Sequence, residues 1–426
     1  MILEISLLII GTLLGCMISM LPGLHVYNVV GFFLLIYFAV QFVEPLAMIM
    51  LLIGMLVGYA FMFTIPSIYF SAPDDSTVFV LMPSQRMMKE GNGYQAVKYI
   101  GMGALIGVGF IVIALPILSG ILPIIWNVFS PYLHIVIGAV IVYMLMSEFP
   151  KGGEGGEKRL RRGWKNILAG YLTFALAGLL GIVIFNHTLI PLDRAFQSLM
   201  APLIGFFAIP SLIINLVAKF DVPEQKFDEK IKINKYEATH GAIGGILGGF
   251  FAALIPAVTA GVGGYLASHA TAQRGDKAFL ISQGASRVVY YVGAIALFFI
   301  PTMHLRRGTL AATINLFYTP RTPQEFYLVL GGIALSGVIS FLLLLTAAKF
   351  IGRKIHRINQ RYLSMGILVF LTVLVGIMTG IVGVFIMYVA AMIGLIPILY
   401  NSRRSHCLAV ILVPIFLSMA GIYVPI

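Results

Sequence analysis

Charge is what this chain has least of. Of its 426 residues only 10% are Asp, Glu, Lys or Arg, against 60% apolar. A soluble domain carries roughly 25% charged residues, so a water-facing surface cannot be built here and a soluble enzyme is excluded. Cysteine is almost absent as well. Cys16 and Cys407 each lie inside an apolar run, which excludes a disulfide framework and a cysteine-based metal site. No Walker motif, catalytic triad or HExxH occurs, and the eight histidines show no metal-ligand spacing. The expectation is therefore a non-enzymatic protein with no catalytic residue, no resident metal and no cofactor. The N-terminus lacks a basic stretch before its apolar run, so the first segment is expected to remain as a membrane helix.

What the chain has in quantity is apolar sequence, from 2–20 through 405–424. At about 20 residues per crossing, the length holds roughly ten to fourteen membrane segments. Forty-five glycines and 20 prolines suit helices that approach closely and break at chosen points. The segment 259–273, TAGVGGYLASHATAQ, is too polar to face lipid and must be buried or line a cavity. The net charge of +12 sits mostly in short runs between apolar segments, which reads as membrane topology rather than nucleic-acid binding.

The two halves resemble each other. GTLLGCMISMLPG (11–23) aligns with GGILGGFFAALIPA (244–257), pairing Gly11 with Gly245, Gly15 with Gly249 and Pro22 with Pro256. TIPS (64–67) aligns with FIPT (299–302), pairing Pro66 with Pro301, and GMGALIGV (101–108) aligns with GGIALSGV (331–338). Several matches in one order at a nearly constant shift point to a duplication: a first membrane repeat 1–217, a polar linker 218–237 and a second repeat 238–426. Basic residues follow the span at 132–148 (Lys151, Lys158, Arg159, Arg161, Arg162, Lys165) but precede the matching span at 362–380 (Lys349, Arg353, Lys354, Arg357, Arg361). Positive loops stay cytoplasmic, so matching helices run in opposite senses. The expected fold is an all-α polytopic membrane protein of two inverted-topology repeats with broken or re-entrant helices. Both termini are expected outside the cell membrane and the linker inside; Arg306, Arg307 and Arg321 then fall on the outer side, against the rule.

Inverted repeats with interrupted helices suit a secondary transporter that binds substrate near the midplane. The break at Pro22, Gly23, His25 and Asn28, facing its counterpart at Pro256, Thr259 and Gly261, would aim helix N-termini at an anion; a Pro kink that merely packs is the alternative. Pro66 and Ser67 lead into Asp74, Asp75, Ser76 and Thr77, which can bind Na⁺, exchange a proton or pair with a basic residue. An Asp N-cap is the plainer reading there. The matched segment after Pro301 is basic, with His304, Arg306 and Arg307, and paired guanidinium forks suit carboxylate or phosphate; lipid headgroups are the alternative. Arg287, well inside an apolar segment, is a candidate anion ligand or the partner of Asp74 or Asp75, with Tyr290 and Tyr291 beside it. His25 and His269 can reach a polar cavity, whereas His134, His240 and His406 suit the interface; Asp193 and Arg194 can pair with each other.

At these motifs the chain resembles the large permease subunit of the tripartite tricarboxylate transporters, especially the archaeal branch. LPGLHVYN (21–28) is similar to that family's first proline-glycine signature, and IPSIYFSAPDDSTVFVLMPSQRMMKEGNGYQAV (65–97) to the branch's second. The resemblance covers nearly the whole chain. It implies a symport-type carrier moving carboxylate anions with a cation gradient, Na⁺ or H⁺, and in bacterial relatives a small membrane subunit and an extracytoplasmic binding protein. In SRVVYYVGAIALFFIPTMHLRRG (286–308) the Ile-Pro-Thr is kept, while the paired Asn and the Gly-Ile-Pro of the bacterial pattern are gone. The leading expectation is a secondary transporter of a di- or tricarboxylate. Translocation of a polyprenyl phosphate or other anionic lipid stays open, and an intramembrane enzyme acting on a lipid-linked substrate is the remaining class. The partners expected are the anion and membrane lipid, with a homodimer left open and no nucleic acid.

Overall fold

In the computed structural model, which describes residues 2–25, 28–31, 33, 37, 43–149, 157–190, 197–217, 222–228, 230–231, 233–300, 303 and 305–424, every regular element is a helix. A backbone in hydrocarbon must meet its own hydrogen bonds, and helices do so within one segment. Packing divides the chain into two units: the first combines 1–129, 220–254 and 258–363, the second 130–219, 255–257 and 364–426. The first unit begins with α1 (Ile2–Ile18), α2 (Pro45–Met62), α3 (Thr64–Tyr69), α4 (Leu81–Lys89), α5 (Gly93–Leu118) and α6 (Leu122–Phe129). The second supplies α7 (Leu133–Met146), α8 (Glu157–Asn186), α9 (Met200–Leu203) and α10 (Ile209–Val217). The first resumes with α11 (Lys235–Leu254), α12 (Ala260–Ala270), α13 (Asp276–Phe298), α14 (Gly308–Ile314) and α15 (Pro323–Ile355), and the second ends with α16 (Gln360–Leu399) and α17 (Ala409–Met419).

Eight helical stretches among the described residues are long and apolar enough to cross a membrane, and α1 and the Arg404–Met419 stretch are shorter apolar helices. The chain is a polytopic, all-helical membrane protein. The span expected at 362–380 is part of a longer helix, α16, which Gly380 breaks at φ 76° and ψ −175°. Such a positive φ suits glycine, which has no Cβ to clash.

Two helices form the centre of the first unit. In an 18-residue apolar window of the stretch containing α2 and in one of α13, 94% of the residues are buried, although both carry enough apolar sequence to face lipid. They are buried because glycine lets neighbours approach at backbone distance. A Cβ on Gly11 would lie 2.0 Å from the Leu51 carbonyl oxygen, and one on Gly15 would lie 2.2 Å from that of Met55. Their sequence counterparts do the same between α11 and α13: Gly245 meets the Ser282 carbonyl at 2.5 Å and Gly249 that of Ser286 at 2.6 Å. The remaining long helices cross over, so that α5 packs on α13 and α15 on α2. A Cβ on Gly103 would lie 2.0 Å from the Ile281 carbonyl oxygen, and one on Gly284 would lie 2.0 Å from that of Ile100.

The polar stretch 222–228 runs against α4 and the start of α5. Gln225 accepts from Gly93 N at 2.8 Å and donates to the Met88 carbonyl, while Lys98 Nζ donates to the Asp228 carbonyl at 2.9 Å. The expected linker is thus tied, in this part, to the first unit.

In the second unit a π-helical turn, Ile204–Ala208, leaves carbonyls free for a side chain. The Arg404 guanidinium donates to the carbonyls of Phe206 and Phe207 and to Ser211 Oγ. His406, expected at the interface, is wholly buried with its Nε2 3.0 Å from Glu148 Oε1.

The glycine contacts carry a direct test. Gly103→Ala should lower the melting temperature of the detergent-solubilised protein, equivalent to about 1–3 kcal/mol of overpacking. Gly109→Ala on the same helix, where an added Cβ meets nothing within 4 Å, should leave it unchanged.

Candidate functional site

The site forms within the first unit, where the chain stops being helical between two apolar runs. After α2 the helix continues through α3 past Pro66. Both Phe70 and Ala72 then donate to the Pro66 carbonyl, and Ser71 takes a left-handed conformation with φ 53°. The chain turns there and delivers Asp74 into the interior.

Each carboxylate oxygen of Asp74 has its own work. Oδ1 accepts from Ser76 N and Oγ and from Thr77 N and Oγ1, at 2.7–3.0 Å. Oδ2 accepts from the Tyr59 hydroxyl at 2.8 Å and lies 3.7 Å from Arg287 Nη2. Both plain readings of this aspartate hold together: it caps its own turn and pairs with a buried arginine. Ser67 Oγ donates to Thr77 Oγ1 at 3.0 Å, so α3 braces the cap.

Arg287, on α13, is 2% exposed. Its guanidinium carbon lies 5.1 Å from the Tyr59 ring, 4.9 Å from Phe63 and 5.9 Å from Tyr291. None of its three nitrogens donates a hydrogen bond among the described residues. Cation–π contacts contribute up to about 2 kcal/mol when desolvated, but they do not satisfy N–H donors. An unmet buried donor costs about 1–3 kcal/mol, more when charged. The guanidinium is therefore held electrostatically while its hydrogen-bonding capacity stays unspent.

His25 completes the wall. The preceding break follows Pro22, with Gly23 at φ 73°, and Asn28 N donates to the His25 carbonyl where the helix restarts. His25 Nε2 lies 3.0 Å from the Tyr291 hydroxyl, and its ring stands 4.9 Å from that of Tyr59. On the far side the N-terminus of α12 closes on the acidic turn: Thr259 Oγ1 donates to the Asp75 carbonyl at 3.3 Å, and a Cβ on Gly261 would lie 3.0 Å from that of Ser76. The second break is itself set by Ala257, at φ 63° just after Pro256.

His25, Asp74 and Asp75 each offer a ligand atom, all within 4.8 Å of one another. Asp74 is already occupied by its hydrogen bonds and by Arg287. Asp75 is 6% exposed, and no side chain among the described residues donates to its carboxylate. Two adjacent buried carboxylates are costly to keep ionised together, so Asp75 is the member suited to take up a proton or cation.

The structure thus gathers His25, Ser67, Asp74, Asp75, Ser76, Thr77, Thr259, Gly261, Arg287 and Tyr291. It puts Arg306 on an exposed surface and Arg307 5.2 Å over the Trp126 ring, where burial lowers the guanidinium to about 10. His269 is exposed. Pro301, His304, Asp193 and Arg194 lie outside the described residues.

Comparison with known proteins agrees with the sequence motifs. Residues 5–409 match the tripartite tricarboxylate transporter TctA family. The chain belongs to that family. It is also 25% identical over 427 residues to an uncharacterized protein of Methanocaldococcus jannaschii, covering 97% of this chain and 98% of the relative. No solved structure matches the chain.

Sequence reasoning passed over Tyr59 and Phe63, which lie in an apolar run and carry no signal until Arg287 is placed over them.

The hydrogen-bond inventory predicts unequal costs for the two halves of the ion pair. Asp74→Ala should destabilise the detergent-solubilised protein by about 3–5 kcal/mol, since it strands Arg287 and dismantles the capped turn. Arg287→Met should cost clearly less, because it removes unmet donors. Thermal melts of both variants check the order.

Proposed function

We propose that this TctA-family protein is a secondary active transporter of an organic anion of the di- or tricarboxylate type. It works by alternating access and is coupled to a cation or proton. The observation that carries the reading is the Arg287 guanidinium, buried among three rings with no hydrogen bond from its nitrogens among the described residues. A carboxylate entering the site supplies the two parallel acceptors that a guanidinium fork takes best. Intramembrane arginines are costly, and a transport site is a reason to keep one.

Coupling falls to the acidic turn. A proton or cation at Asp75, beside His25, offsets the second carboxylate and allows the anion to reach Arg287 without meeting two like charges. The helix N-terminus at Thr259–Gly261 adds a positive dipole end on the same side. The duplication at 1–217 and 238–426, with opposite orientation of its halves, belongs to this proposal. The equivalent glycine contacts of α1 on α2 and α11 on α13 support it, and inverted halves give a carrier two related conformations. Extracytoplasmic termini follow from the same charge pattern. A small membrane subunit and an extracytoplasmic binding protein are partners that the family name allows.

Proteoliposomes loaded with the purified protein should accumulate labelled di- or tricarboxylate when a Na⁺ or pH gradient is imposed separately. Arg287→Gln should cut uptake at least 100-fold. Asp75→Asn should keep anion exchange at zero gradient but lose gradient-driven accumulation. Failure of every carboxylate under both gradients, with folded protein in the bilayer, would sink the reading.

A further inference from the structure

One helical turn before Arg287, α13 carries a second polar group that its surroundings leave unserved. Gln283 is 3% exposed, and neither its Oε1 nor its Nε2 has a hydrogen-bond partner among the described residues. Burying both ends of an amide without partners is rare, because each costs free energy that packing must offset. Residues four apart share a face of a helix, so Gln283 and Arg287 stand on one stripe about 6 Å apart along the axis. That stripe adjoins α12. Gly264 meets Gln283 so closely that a Cβ there would lie 2.8 Å from Nε2, and Ser286 Oγ donates to the Ala260 carbonyl at 2.7 Å.

The lack of a side chain on Gly264 is what gives the Gln283 amide its place against α12. Thr64, next to Phe63 in the wall around Arg287, is likewise buried with its hydroxyl unpartnered. Unmet polar groups thus cluster on the helices that hold the guanidinium.

We infer that Gln283 is a specificity-determining residue, the anchor for a second polar group of the transported anion. Arg287 takes one carboxylate, and Gln283 donates through Nε2 to an oxygen about one helical turn away. The amide can also accept from a hydroxyl through Oε1. The cargo class that fits is an anion with oxygens at both ends, such as a four-carbon dicarboxylate or longer, and not a monocarboxylate. This inference rests on the anion-transport reading above.

Butyrate and succinate separate the two, since they share a four-carbon chain and differ only in the second carboxylate; citrate adds a third. Affinities are read on the full-length protein in detergent by ligand-induced melting shifts and by equilibrium binding of labelled anion. Wild type should bind succinate or citrate at least tenfold tighter than butyrate. Gln283→Leu should lose that advantage, weakening the polycarboxylates at least tenfold while butyrate changes less than twofold. Its unliganded melting temperature should rise, because an unmet amide has been removed. Gln283→Glu should reject polycarboxylates more strongly still, by like charge. If Gln283→Leu binds succinate and citrate like wild type, weakens all three anions equally, or melts lower without ligand, the inference is overturned and Gln283 is structural. Failure of the underlying reading looks different: Arg287→Gln would then bind all three anions as wild type does, or wild type would bind none, and either result removes both.

Discussion

The structure of the first unit depends on how one guanidinium is kept inside it. Arg287 has a charge that three aromatic rings and Asp74 stabilise, and N–H donors that nothing among the described residues accepts. A fully hydrogen-bonded ion pair would close the site on itself. A guanidinium with no countercharge would not stay in an apolar core, where the penalty for one ion is several kcal/mol. The observed arrangement lies between: enough field to hold the charge, too few acceptors to satisfy it.

Such an arrangement needs a rigid frame, and glycine provides it. Tyr59 and Phe63 come from the end of the α2 run and Arg287 from α13, so the cage exists only if those helices stay in register. Backbone-distance contacts fix each of them against a neighbour, α1 on α2 and both α5 and α11 on α13. Side chains at these seams would push the helices apart by ångströms, and cation–π and ionic terms fall off over that range. The breaks after Pro22 and after Tyr69 then bring non-helical backbone to a place where it is buried in protein, as hydrocarbon surroundings require.

Much of this was legible in the sequence, because membrane proteins expose their constraints plainly. Low charge points to the class, glycine spacing to the helix seams, and Pro22 and Pro256 to two of the breaks. Arg287 and Asp74 stood out since charges are rare in apolar runs. The rest was illegible for a physical reason. Tyr59 and Phe63 look like core residues in a long apolar stretch, and their role comes from tertiary proximity alone. Arg404 sits in a basic-looking string, SRRSHC, that suggests an interface, yet a π-helical turn some 200 residues earlier supplies its acceptors. Arg306 and Arg307 look paired in sequence but separate in space, one exposed and the other over Trp126.

The long distance between Arg287 and Asp74 is then the useful part of the pair. Asp74 keeps Oδ1 satisfied by Ser76 and Thr77 and Oδ2 by Tyr59, whatever Arg287 does. Under the proposed function, drawing the guanidinium toward an incoming carboxylate would cost the Coulomb attraction at 3.7 Å and part of the contact with the three rings, not a set of directional hydrogen bonds. In that proposal the arriving carboxylate would replace the attraction and add the hydrogen bonds that are missing. The proposed binding would be favoured because the acid has its own local network, and release would stay feasible because the arginine returns to a partner that has waited intact. A carrier that must bind and let go in each cycle needs both properties at one residue.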